Sequence, residues 1–451
     1  MQRRRTKILA GLLAFVLLAG ASACSRSSKS SSGGGGSGDS GSGAGAVDAS
    51  KCPPNSQTAG IQGDTINLVS SFPQSGLTAA FSEISKGYKA YFEYVNAQGG
   101  VAVAGKKYKI KITDKDDQYN AANTAKNIDE EVGTDGTKAF AVFNVVGTSN
   151  NLAIRDSLND NCVPDLFAAT GSPAWGNPKY PWLIGSTLAS YSIEAKVFAD
   201  YLKKEKPNAT VAMLAQDDDF GKAYEEGFKK AIQGSKIKVL QTKTYPVGAS
   251  DVGTEVTSLA STKADVFFDG ATLLACPDAL TKAKAAGWTP LTFVSGTCIS
   301  KTLMGIAGQN ADKAFSVTNI KDPQNPQFKD NADMKLYREQ VGKYEPDADV
   351  ANGIVAYGWT QGAIFVEALK TAKKMDRQSV MTAVRSMDKI KGGLLLDGVT
   401  ISTSGNQDPY MGESVQLIQY NANNKYFDNV GGLVNEEGKT KSFTPPDLIN
   451  G

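Results

Sequence analysis

From Thr65 onward the 451-residue chain alternates short apolar runs with amphipathic segments, and this alternation restricts the fold more than any other feature. The runs are nearly continuous in Val, Ile, Phe and Ala, so they read as strands covered on both faces. Thr65–Phe72 is the first and ends in the loop Pro73-Gln74-Ser75-Gly76. Ile84, Tyr88, Tyr91, Phe92 and Val95 then recur near helical spacing, and Gly99-Gly100 stops that helix. Lys107–Asp117 predicts the next strand, followed by a helix that Asn120 caps and that runs to Glu131. Ala139–Val146 and Val163–Thr170 predict two further strands, with a helix over Asn150–Leu158 between them. Repetition of this kind predicts a parallel sheet flanked by helices.

Past Trp182–Ser190 the pattern starts again. A helix is expected over Ile193–Lys204, a strand over Ala209–Asp219 and a helix over Tyr224–Gln233. Lys238–Tyr245, Asp265–Gly270 and Leu291–Gly296 read as strands, with Ala275–Ala286 helical between the last two, and Ala314–Asn319 closes the series. Asn331–Tyr344, Gly353–Ala372 and Ser379–Ser386 read as helices, and Leu396–Ser402 and Val415–Asn421 as strands. The expected fold class is therefore α/β, with two doubly wound lobes.

The N-terminus gives an address. Arg3, Arg4, Arg5 and Lys7 precede an apolar run from Ile8 to Ala19, then Ala21-Ser22-Ala23 and Cys24. A basic start, a short apolar stretch and small residues make a secretory signal peptide. Cys24 after those small residues resembles the lipobox of bacterial lipoproteins, in which the Cys is acylated and becomes the new N-terminus. Ala21 departs from it, since a lipobox usually has Leu there, and Ala-Ser-Ala also suits ordinary signal peptidase. Ser25–Ala46 is almost entirely Ser and Gly, a flexible tether with an r.m.s. reach of about 25 Å. The expected organisation is a signal peptide over 1–23 and a lipidated Cys24 with its tether over 24–60. The body would then be exported and anchored to the outer face of the cytoplasmic membrane.

Composition removes several classes of function. The chain has no histidine, which excludes Ser-His-Asp and Cys-His catalysis and His metal sites. Removal of the leader takes four basic residues and leaves 44 basic against 46 acidic, so no nucleic-acid groove is expected. No catalytic residue, metal or cofactor is expected. No second apolar run is long enough to span a bilayer. Five cysteines leave four once Cys24 is set aside, and four allow three pairings. Cys276 and Cys298 lie just beyond two consecutive predicted strands, which favours Cys276–Cys298 and hence Cys52–Cys162, stapling the irregular lead-in. Buried free thiols are the alternative.

The order of local motifs resembles the periplasmic leucine/isoleucine/valine-binding family, type I solute-binding proteins of ABC importers. The matching pieces are Pro73, Ser75 and Gly76 after the first strand, Val95–Val101 at the helix end, and Asp116-Asp117 before an Asn/Ala-rich helix. Ala168–Thr170, Asp217–Ala223 and Tyr245–Asp251 follow in order, and the likeness runs from Gly63 to Asn435. The resemblance implies the type I periplasmic binding protein fold, two lobes joined by a three-segment hinge. Lobe 1 would be residues 63–187 and 321–412, and lobe 2 residues 188–320 and 413–445. It also implies a monomer that holds a small molecule between its lobes and delivers it to an ABC permease. A lipoprotein sensor signalling to a membrane receptor, or a secreted α/β hydrolase, are the alternatives.

Carried over position by position, the resemblance implies ligand contacts from Ser75, Gly147, Thr148, Ala168 and Thr170 in one lobe. In the other it implies Phe220, Gly270, Thr272 and Thr297. Thr residues in such loops also cap helices, and Phe220 also suits plain strand-to-helix packing. Thr297 stands where amino-acid binders of the family have an acidic residue that pairs with the α-ammonium. An unpaired buried ammonium is costly. Unless Asp269, Asp217, Asp218 or Asp219 substitutes, an organic acid, amide or aromatic acid is expected ahead of an amino acid.

Overall fold

The computed structural model describes residues 45–132 and 138–450. The signal peptide, Cys24 and nearly all of the tether lie outside them. Two sheets of seven strands organise the chain. The first contains β1 (Ile61–Gln62), β2 (Thr65–Phe72), β3 (Val101–Val103), β4 (Lys106–Asp116), β5 (Ala141–Phe143), β6 (Asp165–Ala168) and β7 (Leu183–Gly185). Its order is β3-β4-β2-β5-β6-β7, and β4 through β7 pair in parallel. The short β3 and β1 add antiparallel edges. The second contains β8 (Thr210–Gln216), β9 (Lys238–Tyr245), β10 (Val266–Gly270), β11 (Leu291–Val294), β12 (Phe315–Thr318), β13 (Ser414–Asn421) and β14 (Tyr426–Asn435). Its order is β14-β13-β12-β11-β10-β8-β9, parallel from β9 to β12 and antiparallel beyond. This is a mixed α/β architecture with two helix-flanked sheets.

The parallel strands β6, β8 and β10 are buried on both faces, as their apolar runs require, whereas the parallel β4 and β9 are more polar and only partly buried. Some are shorter than their apolar patterns, for a reason in the backbone. Asn144 (φ 57°) and Phe167 (φ 61°) adopt left-handed conformations side by side and end β5 and bulge β6. Asn144 compensates by donating its side-chain amide to the Phe167 carbonyl at 2.8 Å. Leu396–Ser402, expected as a strand, is not one. Gly398 (φ 91°) turns the chain there, and only Ile401 bridges to Ile390. Its apolar residues Val399 and Ile401 plug the core of the first half without laddering. Strand β14 and the short helices Gly253–Ser261 and Lys301–Ala307 were not legible, being largely polar or brief.

Helix Gly353–Leu369 is apolar around its whole circumference and is buried on nearly all sides. It lies against helix Glu83–Ala97 with the two backbones in contact. A Cβ on Gly358 would fall 1.9 Å from the Ile84 carbonyl oxygen, so only glycine permits this approach. Both expected disulfides are formed. Cys52–Cys162 ties the lead-in to the turn after helix Thr148–Asp160, and Cys276–Cys298 joins the first turn of helix Ala275–Ala285, after β10, to the short 3-10 turn after β11.

The chain passes between the sheets three times: after β7, after β12 and before β13. The crossings touch one another. Ala189 bridges Gly412 in parallel, and Asn319 Nδ2 donates to the Thr187 carbonyl at 2.5 Å. Gln361 donates from Nε2 to Thr187 Oγ1 at 2.6 Å and accepts from Thr187 N at 3.2 Å.

Candidate ligand-binding cleft

The loops at the carboxyl ends of both parallel sheets face each other, where open α/β sheets gather their ligand-binding loops. From the first sheet, Thr148 opens helix Thr148–Asp160 after β5, and Thr170 follows β6. Their Oγ1 atoms share a hydrogen bond of 2.6 Å, and Tyr191 OH donates to Thr170 Oγ1 at 3.1 Å. Tyr191 belongs to helix Tyr191–Glu205 beyond the first crossing, so this contact joins the halves. A second contact joins them at the rim, where Ser149 Oγ donates to Asp218 Oδ2 at 3.0 Å. A third is the Lys301–Asp349 ion pair at 2.7 Å.

Asp218 has two tasks. Its Oδ1 accepts the N–H groups of Phe220 and Gly221, capping helix Asp219–Ala231, and its Oδ2 accepts from Ser149 and Gln216. Burial raises its carboxyl above the usual range against those bonds. Asp217 and Asp219 are both exposed. Asp269 is fully buried at the end of β10 and accepts from Ala271 N, while its other oxygen has no partner among the described residues. Burial lifts it well above the ordinary carboxyl value.

The remaining expected positions divide between wall and interior. Phe220 packs edge-on against Tyr191 and Tyr224, with ring centroids 5.0 and 5.3 Å apart. Ala168 and Gly270 are buried within their strands. Thr297 Oγ1 donates to Thr272 Oγ1 at 3.0 Å and shares a 2.8 Å bond with Ser295 Oγ. Thr272 N in turn donates to Tyr245 OH. Ser75 and Gly147 line an outer pocket of about 670 Å³ with Tyr119, Ser149 and Asp218, and Ser75 Oγ donates to Asp116. Thr297 lines a separate inner cavity of about 140 Å³ near the crossings. The nine expected residues thus do not meet in one cavity.

That inner cavity is walled by both halves. Phe81, Ile84, Val146 and Ile354 come from the first, and Ile299 and Val317 from the second. Glu194 also lines it, a residue not singled out from the sequence. It sits in the first turn of helix Tyr191–Glu205, 2% exposed, and its Oε2 accepts from Tyr224 OH at 2.7 Å and Gly296 N at 2.9 Å. Burial pushes its carboxyl up to about 7, with the Tyr224 hydroxyl and Gly296 N–H pulling it back. A signal existed: Glu194 shares a helix face with buried Val197 and Phe198, a lone carboxylate on an apolar stripe.

Two helix-flanked sheets joined by three crossings, with a cavity walled from both sides, define a two-lobed binding protein. The sequence profile described as "periplasmic binding protein" matches residues 65–424. The chain belongs to the periplasmic binding protein family. It is 28% identical over 331 residues to the Leu/Ile/Val-binding protein homolog 3 of Brucella melitensis, covering 72% of this chain and 86% of that protein. A branched-chain amino acid ABC transporter structure from Thermus thermophilus with bound valine superposes with a TM-score of 0.73 at 18% identity, over 85% of this chain and 99% of that one. A fatty acid ABC transporter substrate-binding protein from Thermomonospora curvata gives 0.72 at 19%, over 86% and 97%. At these identities the two structures speak for the fold alone. Among the described residues no helix is long and apolar enough to cross a membrane.

Proposed function

We propose that this chain captures a small amphiphilic molecule between its two halves, without chemical conversion, and hands it to an ABC permease. The observation that carries this reading is the inner cavity, whose walls come from both sheets and are mostly apolar. A molecule touching both halves stabilises the closed arrangement by its differential affinity for it. The related structures with valine and for fatty acid bracket the chemistry, an apolar body with a charged head. Of the expected residues, Thr297 lines the inner cavity, which supports its contact with such a ligand, while Ser75 and Gly147 line the separate outer pocket.

Cys24, the small residues before it and the Ser/Gly tether support anchoring at the outer face of the cytoplasmic membrane. A thermal-shift screen of branched-chain and aromatic amino acids, amines, organic acids, amides and fatty acids tests the binding role. A ligand at 100 times its Kd adds about 2.7 kcal/mol of stability. No shift with any compound would refute it. Cys24→Ser should release the protein from the membrane fraction, and unchanged fractionation would refute the anchor.

A further inference from the structure

Leu273 reaches out of the half to which its chain segment belongs. It lies in loop 271–274 after β10, and its backbone takes a left-handed conformation (φ 55°) that bulky residues rarely adopt. The loop is fastened to the second half. Ala271 N donates to Asp269 Oδ1 at 3.2 Å, Thr272 N to Tyr245 OH at 3.0 Å, and Cys276 N to the Leu273 carbonyl at 3.2 Å. Cys276, joined to Cys298, anchors the far end. The next residue, Leu274, packs against the apolar cluster of the second half. Leu273 points the other way. It is 4% exposed and belongs to the apolar cluster of the first half, whose other buried members all lie within residues 47–184 and 354–411. It also shares the wall of a small pocket with Thr78, from the turn Gly76–Ser82 of the first half.

We propose that Leu273 is an apolar latch: its side chain seats in the first half only when the two halves meet, and it holds them together. The proposal rests on reading the halves as a clamp that opens and closes. A strained backbone persists where its surroundings over-determine it, and here the left-handed turn is what sends two successive leucines into the cores of opposite halves. Opening the clamp strips Leu273 of its apolar surroundings. Burial of one leucine shifts a closing equilibrium by about tenfold or more. Because the loop is already fixed by its own half, seating the side chain costs little further ordering. The latch acts on closure itself, so it strengthens the grip on any occupant alike and does not choose among occupants.

The test needs no ligand. Lys301 and Asp349 pair across the halves at 2.7 Å and are both well exposed. In a Cys24→Ser chain, Lys301→Cys and Asp349→Cys place two thiols that a short bismaleimide can bridge only while the halves are together. The bridging rate then reports the closed population, even a minor one. Adding Leu273→Ala should slow bridging about tenfold or more, and Leu273→Met should keep it within about threefold. Leu273→Gly should be as slow as the Ala variant, although glycine relieves the backbone. Bridging by the Ala variant at the unaltered rate, a Met variant as slow as Ala, or a Gly variant at full rate would each overturn the proposal. So would absence of bridging in the Leu273 parent. Melting temperatures show that each variant is folded. A latch supports closure and not the fold, so failure of both the Ala and Gly variants to fold also overturns it. All of these outcomes leave the binding-protein reading standing. That reading falls only when the wider thermal-shift screen is empty.

Discussion

Replacing Asp165 with Asn should stabilise the protein, and by an amount that grows with pH. Asp165 opens β6, between β5 and the edge strand β7 of the first sheet, with 0% exposure, and neither carboxylate oxygen has a hydrogen-bond partner among the described residues. Burial alone pushes its carboxyl up to about 8. In the unfolded chain the same group titrates near 3.9. Between those values the folded protein holds a proton that the unfolded chain has released, so stability falls as pH rises. The contribution is fully present below about pH 4 and is lost as pH climbs through about 8. The slope is about 1.4 kcal/mol per pH unit, which gives a deficit on the order of 4 kcal/mol at pH 7. Asn matches the neutral acid in shape and cannot ionise. Asp165→Asn should therefore exceed the unaltered protein by about 1.5 kcal/mol at pH 5 and about 4 kcal/mol at pH 7. Urea unfolding followed by tryptophan fluorescence at pH 5, 6 and 7 measures the difference, in which contributions of distant groups cancel. Parallel stability–pH curves for the two proteins would refute the reasoning.

Two further substitutions probe the frame. Cys52 and Cys162 are 110 residues apart and Cys276 and Cys298 are 22 apart. Loop-closure entropy then predicts losses of about 4.8 and about 3.4 kcal/mol when each pair is changed to Ser, read from unfolding midpoints, with the larger loss from the longer loop. A larger loss from the shorter loop would count against the entropic account. Gly358→Ala should destabilise by about 1–3 kcal/mol, because its methyl would press on the Ile84 carbonyl and force two helices apart. A melting temperature equal to that of the unaltered protein would show that the helices yield freely.

The fold was legible because the inner parallel strands are apolar along their length and helices are periodic, and β2 and the more polar β9 begin and end where their sequence patterns do. Strand ends were less so. Asn144 and Phe167 take left-handed backbone conformations that no apolar count reveals, and their cost is met by neighbours distant in sequence. The site was legible as a set of loops and much less as a set of contacts. Thr170 lies in the expected loop and Phe220 in the first turn of helix Asp219–Ala231, yet Tyr191, which touches both, comes from helix Tyr191–Glu205, whose orientation the sequence leaves open. Glu194 was hidden for the same reason. One carboxylate in a helix read from its apolar residues becomes distinctive only when Gly296, about a hundred positions away, is seen bonded to it.

The three crossings are laced to each other at one level, through Asn319 on Thr187 and through Gly412 against Ala189, and Gln361 of helix Gly353–Leu369 fastens Thr187 from the side. Three struts fastened side by side can bend together about a line, but sliding or twisting one past another would break those bonds. Relative motion of the two halves is thereby reduced to a single angle. On the proposed function, an occupant of the cavity would act as a doorstop on that angle, and its bulk would be converted into an outer shape that a partner could distinguish without touching it.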